Sequence, residues 1–405
     1  MRILFVAYLY YPDITGGAAR SVQALAEALV ELGHEVHVLR FGKNGTEPDC
    51  EVNGVLVHHL KLRNIYWPFD RQKRTNWKRA IWHLIDLINP YAAFDVWRAV
   101  RRIRPDIVNT SIISGFSSSI FWVFKAMRVP TIHTMRDYYM LCAKVGMYRG
   151  NRNCVKICSY CRPFSIIRSQ GLRQVDMILA NSRFVLNRHR CFGAIPESTP
   201  AYVQLNMNFS PVRVDPRTRP DAVVRFGFLG KLDDTKGVGV LLGAVGLLGK
   251  EGWTLRIGGE GDSNYVAQLK QNCNDPRIEF IGWVNEKTFY DEIDVLICPS
   301  LYHDPLPRVI LEAYSNAIPV IVSDRGGLPE MVENKVTGII CNPSNLESLA
   351  EAMRAFINGT VDYPSMSRAA IAAASAYTRD AVVASYLVRL TELNIGEIGE
   401  RGKRT

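Results

Sequence analysis

The sequence predicts an α/β protein of two doubly wound domains. Short apolar runs that suit buried parallel strands alternate with helix-spaced segments along the whole chain. Glycine turns follow several of these runs, and a proline-rich segment without periodicity at 210–221, SPVRVDPRTRPD, divides the chain as a linker does. With 405 residues, the protein exceeds one ordinary core, and each half is long enough to bury its own.

The first domain is expected over 1–210. Residues 3–8 read as its first strand, and residues 18–32 carry Val22, Leu25, Ala26 and Leu29 at the spacing of one helix face. Gly33 closes that helix and EVHVLR supplies the next strand. The opening is therefore a βαβ unit, with Gly16 and Gly17 in the turn at its ligand-facing end.

The net charge of +10 is concentrated between residues 61 and 104, where eleven Lys or Arg face three Asp and where Trp67, Trp77, Trp82 and Trp97 lie. Such a mixture suits an anionic membrane surface, an anionic lipid-linked acceptor or nucleic acid. It equally suits a solvated amphipathic helix pair with core aromatics. Ile81, Leu84, Ile85 and Ile88 share helical spacing, with Lys78 and Arg79 close by, so that face either dips into lipid headgroups or packs inward.

RPDIVNTSI is the next strand, residues 117–127 a helix, and VPTIHTMRDYYMLC a further strand and loop holding Arg136 and Asp137. Arg136 cannot serve as a base, because a guanidinium keeps its proton, but it can clamp an anion. His133 reads as a strand residue. Cys142, Cys154, Cys158 and Cys161 crowd into twenty residues, and four thiolates are a preferred shell for structural zinc. The alternatives are a disulfide clip and idle thiols. The total of nine cysteines, mostly scattered, fits a reducing compartment.

The second domain is expected over 211–377. VVRFGFLG is its first strand, followed by the turn KLDDTKG and a helix over 238–248, and then by the strands TLRIGGEGD, IEFIGWV and DVLICPS. Gly259 and Glu260 lie in the second of these strand-end turns. After DVLICPS comes a loop with Asp304, then Pro305 and Pro307 where a helix begins, and Glu312 on that helix. The backbone N–H groups of Leu306, Arg308 and Val309 at the helix start, together with its dipole, can hold a phosphate. Asp304 and Glu312 can accept hydrogen bonds from sugar hydroxyls. Gly326 and Gly327 give tight turning after the strand at 318–322. The closing segment, 378–405, opens as an amphipathic helix.

The stretch from Asp304 to Glu330, two acids separated by seven residues and then Gly-Gly-Leu-Pro-Glu, resembles the signature of the retaining glycosyltransferases of family 4. Position 304 holds Asp where that pattern has Glu, one methylene shorter. Gly230, Lys231, Leu232, Lys236 and Gly237 are similar to the family's Gly-Arg-Leu and Lys-Gly turn, with Lys for Arg. Arg136-Asp137 stands where the family commonly has His-Asp. The resemblance covers nearly the whole chain and is densest after Phe226.

What the resemblance implies is a GT-B arrangement of two doubly wound Rossmann-like domains facing across a cleft, with the C-terminal helix crossing back to the first. It implies transfer of a sugar from a UDP- or GDP-sugar to an acceptor hydroxyl, with retention, in polysaccharide or glycolipid synthesis. Lys231 and Lys236 would neutralise the departing diphosphate, aided by Leu306, Pro307, Arg308 and Val309. Glu312 would hold the ribose and Asp304 the donor sugar. Gly16 and Gly17 would meet donor phosphates or acceptor, and Gly230, Gly259 and Glu260 the donor.

No Asp-x-Asp pair occurs in the sequence, so activity without a catalytic metal is expected. No run approaches the roughly 18 apolar residues that cross a bilayer. Nor does ILFVAYLYYP precede a small-residue cleavage site, so a cytoplasmic protein is expected, peripheral at the inner membrane face where the acceptor is lipid-linked. Nucleic acid is not an expected partner. Two rivals remain open: a nucleotide- or polyanion-binding protein of the same fold without turnover, and a same-fold epimerase or phosphorylase.

Overall fold

The computed structural model describes residues 1–13, 16–43, 45, 47–68, 74–218 and 223–393. The chain divides into two compact units, one of residues 1–147, 155–207 and 379 onward, the other of residues 148–154 and 208–378.

In chain order, the first unit begins with β1 (Arg2–Val6), α1 (Gly17–Glu31), β2 (Glu35–Gly42), β3 (Cys50–Val52) and β4 (Val55–Lys61). It continues through α2 (Asn76–Leu87), α3 (Pro90–Ile103), β5 (Ile107–Ser111), α4 (Ile120–Ala126) and β6 (Thr131–Met135). A small hairpin of β7 (Tyr148–Arg149) and β8 (Arg152–Asn153) groups with the second unit. The first unit resumes with α5 (Arg162–Leu172), β9 (Met177–Ala180), α6 (Arg183–Cys191) and β10 (Ala201–Val203).

Its eight strands run in the order β10-β9-β6-β5-β1-β2-β4-β3, parallel except for the β3–β4 edge pair. β1, β5, β6 and β9 are buried almost throughout, as a sheet covered on both faces requires. The strand order reverses between β1 and β5, so the turns after these two strands open at the switch point.

The second unit holds β11 (Val224–Leu229), α7 (Val238–Val245), β12 (Trp253–Gly258), α8 (Ser263–Gln271), β13 (Ile278–Gly282) and α9 (Glu286–Asp291). After these come β14 (Val295–Cys298), α10 (Arg308–Ser315), β15 (Val320–Ser323), α11 (Leu328–Met331), β16 (Gly338–Cys341), α12 (Leu346–Ile357) and α13 (Tyr363–Ala374). Six parallel strands run β13-β12-β11-β14-β15-β16. The reversal here lies between β11 and β14, which places the turn after Leu229 beside the loop after Cys298.

The segment read as a linker is tied down at Arg217, whose guanidinium donates to the carbonyls of Tyr290, Ile293 and Asn316 at 2.7, 2.7 and 2.9 Å. The last helix, α14 (Arg379–Glu392), belongs to the first unit. Val382, Val383, Tyr386 and Leu390 enter its core, and Tyr386 OH accepts from Asn109 Nδ2 at 2.9 Å. The remainder of the expected C-terminal segment, 394–405, lies outside the described residues.

Candidate active site

In the second unit, the turns after β11, β12 and β14 converge. Asp233 Oδ1 accepts from the backbone N–H groups of Thr235 and Lys236 at 3.0 and 3.3 Å, shaping the turn that presents Lys236. Thr235 O in turn accepts from Leu301 N at 2.8 Å, joining this turn to the loop after β14. Lys236 Nζ then lies 2.5 Å from Asp304 Oδ2 and 3.4 Å from Tyr302 OH. Burial alone would lower the Lys236 pKa, but the negative charge of Asp304 outweighs it and the ammonium is held well above its usual range. Lys231, by contrast, is exposed and pairs with Asp233 at 3.0 Å.

Two glycines permit this convergence. A Cβ on Gly259, which has φ +129°, would stand 1.7 Å from Gly230 O, so the turns after β11 and β12 touch backbone to backbone. Leu232 N donates to Glu260 O at 2.8 Å across the same contact. Gly326, with φ +65°, would drive a Cβ to 2.2 Å from Asp304 O, and Gly327 N donates to that carbonyl at 2.8 Å. The Gly-Gly turn thus backs the loop that carries Asp304.

α10 starts at Arg308 behind Pro307, whose φ of −70° suits the position and whose own side chain makes no cap bond. Leu306, Pro307, Arg308 and Val309 thus form the helix start directly after Asp304 and Pro305. Glu312 lies one turn in and is buried. Its Oε2 accepts from Tyr290 OH at 2.9 Å, and Oε1 lies 3.5 Å from Arg308 Nε. The pairs Gly230 with Gly259, Lys236 with Asp304, and Arg308 with Glu312 are thus assembled within one unit.

Asn153, on β8, was not legible as a site residue. Its side chain donates to Leu301 O and accepts from His303 N, both at 2.8 Å, and so clamps the loop before Asp304 from both directions. Nothing in the local pattern around Asn153 marks a contact to a loop so distant in sequence.

The remaining expected residues belong to the first unit. Gly16 is the N-cap of α1 at φ +95°, and Gly17 is its first residue. Buried Arg40 donates to the carbonyls of Tyr10 and Tyr11 at 2.7 and 3.3 Å and pairs with Asp13, steadying the chain that leads into this turn. Arg136 is buried and donates to the Asn206 side chain, so its guanidinium has a role in the scaffold of this unit. Burial pushes the Asp137 carboxyl up to about 6, and its Oδ1 accepts from Tyr139 N at 2.8 Å. His133 sits inside β6 bonded to Thr110 Oγ1 at 2.8 Å, and burial pushes its pKa down to about 3.

Beneath the 137–147 loop, Arg168 and Asp86 form a fully buried pair at 3.0 Å. Arg168 also donates to Tyr139 O at 2.6 Å, while Asp86 accepts from Gly115 N at 2.5 Å and from Tyr139 OH at 3.0 Å.

The four thiols weighed as a zinc shell, a disulfide clip or idle groups are all free, and Cys142, Cys158 and Cys161 belong to the first unit. Cys142 and Cys161 have sulfurs 3.8 Å apart, but Cys154 groups with the second unit. Among the described residues, no group of three or more His, Cys, Asp or Glu is disposed to hold a metal ion.

Two parallel, helix-flanked Rossmann-like sheets, one with convergent cationic and acidic turns at its switch point, define a glycosyltransferase of the GT-B class. The chain belongs to the group 1 glycosyltransferases: residues 224–358 match the model for "glycosyl transferases group 1" and residues 16–203 that for a "glycosyl transferase 4-like domain". It is 32% identical over 332 residues to an uncharacterised 42.6 kDa protein in the cps region of Klebsiella pneumoniae, covering 82% of this chain and 87% of that one. It is 26% identical to the glycogen synthase of Mycobacterium tuberculosis, covering 91% and 89% of the two chains. The crystal structure of Anabaena HepE in complex with UDP superposes with a TM-score of 0.72 at 17% identity, covering 97% of this chain and all of that one.

Proposed function

We propose that the protein moves a sugar from a UDP- or GDP-sugar to an acceptor hydroxyl with retention of configuration, without a catalytic metal, in the building of a polysaccharide or glycolipid. The observation that carries this reading is the pairing of Lys236 with Asp304 at the switch point of the second sheet. A lysine kept charged by a neighbouring carboxylate is a preorganised cation for a departing diphosphate. Lys231 and the N-terminal end of the α10 dipole add positive potential to the same region. Glu312, oriented by Tyr290 and Arg308, is the acceptor for ribose hydroxyls, and Asp304 that for the donor sugar.

With the nucleotide held on one unit, attack on the face from which the diphosphate leaves requires no protein nucleophile. The leaving phosphate oxygen takes the acceptor's proton as the new glycosidic bond forms and the old one breaks. The relative in a cps region, the glycogen synthase and the UDP-bound HepE support a nucleotide-sugar donor and a polysaccharide product. The acceptor is a sugar, free or lipid-linked; a lipid-linked one is met at an anionic membrane surface. Among the described residues, no helix is long and apolar enough to cross a membrane.

The test is a screen of nucleotide-sugars for donor turnover, with the product's anomeric configuration read by NMR and the assay repeated in excess EDTA. A retained product formed equally in EDTA is expected. An inverted product contradicts retention, and activity lost to EDTA and restored by Mg²⁺ or Mn²⁺ contradicts metal independence.

A further inference from the structure

The pair of helices in the basic segment is folded with an apolar stripe outward. Trp77, Ile81, Leu84 and Ile88 recur at the spacing of one face of α2 and its C-terminus, and the stripe continues through Tyr91 and Phe94 at the start of α3. Trp77 and Leu84 are each 60% exposed, Ile88 59%, Tyr91 73% and Phe94 56%, values found at the surface and not in a core.

The inward face of α2 is fixed by polar anchors. Trp82 Nε1 donates to Tyr66 O at 3.1 Å, and Asp86 is locked to Arg168. Asn89 joins the two helices, accepting from Ala92 N at 3.0 Å and donating to Arg63 O at 2.9 Å. Rolling α2 to hide its stripe would break these bonds and expose Trp82, so the apolar face stays outward.

Among the described residues of α2 and α3, the exposed charges beside the stripe are basic. Lys78, Arg79, Arg98 and Arg101 are exposed, with Lys78 lying over the Trp77 ring and Arg101 over the Trp97 ring at 5.5 and 4.9 Å. The two acids on these helices are both neutralised, Asp86 by Arg168 and Asp95 by Arg63 at 2.6 Å. A symmetric pairing of two copies through this face would set cation against cation. An apolar stripe rimmed by exposed cations is instead complementary to a bilayer with anionic headgroups, the aromatic rings lying at the level where Trp and Tyr settle.

We propose that the outward face of α2 and the start of α3 is a docking surface for an anionic bilayer, with Trp77, Leu84, Ile88 and Phe94 inserted and Lys78, Arg79, Arg98 and Arg101 on the headgroups. This deepens the proposed function, on which it rests for its purpose, by assigning residues to the surface where a lipid-linked acceptor is met.

The full chain is sedimented with vesicles of phosphatidylcholine alone and with vesicles that also contain phosphatidylglycerol. Binding is expected to the anionic vesicles at low salt and not in about 1 M salt, where the screening length falls to about 3 Å. Leu84→Gln, Ile88→Gln and Phe94→Gln combined should reduce partitioning at least about tenfold, since each apolar side chain loses its buried area. Arg98→Ala with Arg101→Ala should reduce it roughly thirty-fold, each basic residue contributing about fivefold near such a surface. All five positions are solvent-facing, so the fold is preserved. Equal binding to both vesicle types, binding to neither, or unchanged binding in both variants overturns the proposal. So does a dimer in sedimentation velocity that the Gln variant dissolves. Donor turnover without vesicles is read separately, so intact turnover with failed docking leaves the transfer reaction standing, and the converse leaves the docking surface.

Discussion

Lys236 Nζ reaches Asp304 Oδ2 at 2.5 Å although the two residues are 68 apart in sequence and leave different strands. They meet because β11 and β14 are neighbours at the point where the strand order reverses. The pair fixes the position of the cation and keeps it charged, as its proposed role at a departing diphosphate requires.

Lys236→Ala is expected to slow transfer by about 10² or more, since a preorganised charge at a developing anion contributes roughly 3 kcal/mol, and Lys231→Ala by less, because its exposed charge is screened by solvent. Turnover at saturating donor is the measurement. Near wild-type rates in both variants would remove the diphosphate from this pair of turns.

Glu312→Gln should act on donor binding more than on the rate. Gln keeps the shape and one acceptor for Tyr290 OH but loses the charge, and a hydrogen bond to a charged group contributes about 1.5–3 kcal/mol. UDP or GDP affinity by calorimetry should fall by about 10-fold to 100-fold. Tyr290→Phe, which leaves the carboxylate charged but less well oriented, should weaken binding less. An unchanged affinity in Glu312→Gln would place the ribose elsewhere.

Arg168→Met should be among the most destabilising substitutions in the first unit. It leaves Asp86 buried without its cation, and breaking such a pair costs about 3–5 kcal/mol. Burial already holds the Asp86 carboxyl up at about 6 even with Arg168 beside it. Adding Asp86→Asn should return part of the loss in denaturant unfolding. Additive losses in the double variant would show that the two side chains do not act as a pair.

Much of the architecture was legible because it rests on local pattern. Residues 3–8, EVHVLR and DVLICPS became β1, β2 and β14, and the helices expected over 18–32 and 238–248 became α1 and α7. The contacts that position the site were not legible. Asn153 on Leu301 and His303, Tyr290 on Glu312, and Arg168 under Tyr139 each join residues far apart in sequence through side-chain polar contacts, which leave no periodicity to read. The α2 stripe shows the same limit. Helical spacing puts Ile81, Leu84 and Ile88 on one face, but only the anchoring of Trp82 and Asp86 decides which way that face points.

Asp137 ties stability to pH in a direction that can be worked out. Its carboxyl is pushed from 3.8 to about 6, first by burial, with the Tyr139 N–H and the charge of Arg168 only partly offsetting it. Between those two values the folded state holds a proton that the unfolded state has lost, so stability falls as pH rises through the window and stays lower above it. The full displacement corresponds to about 2–3 kcal/mol. Asp137→Asn has no proton to lose and can still accept from Tyr139 N, so the variant should unfold at higher denaturant than wild type at pH 8, with the gain shrinking toward pH 4.5. A gain independent of pH, or a loss at pH 8, contradicts an Asp137 that ionises at a raised pKa. If the stabilised variant also loses transfer, Asp137 is a group kept charged for function at a cost in stability, as active-site residues often are.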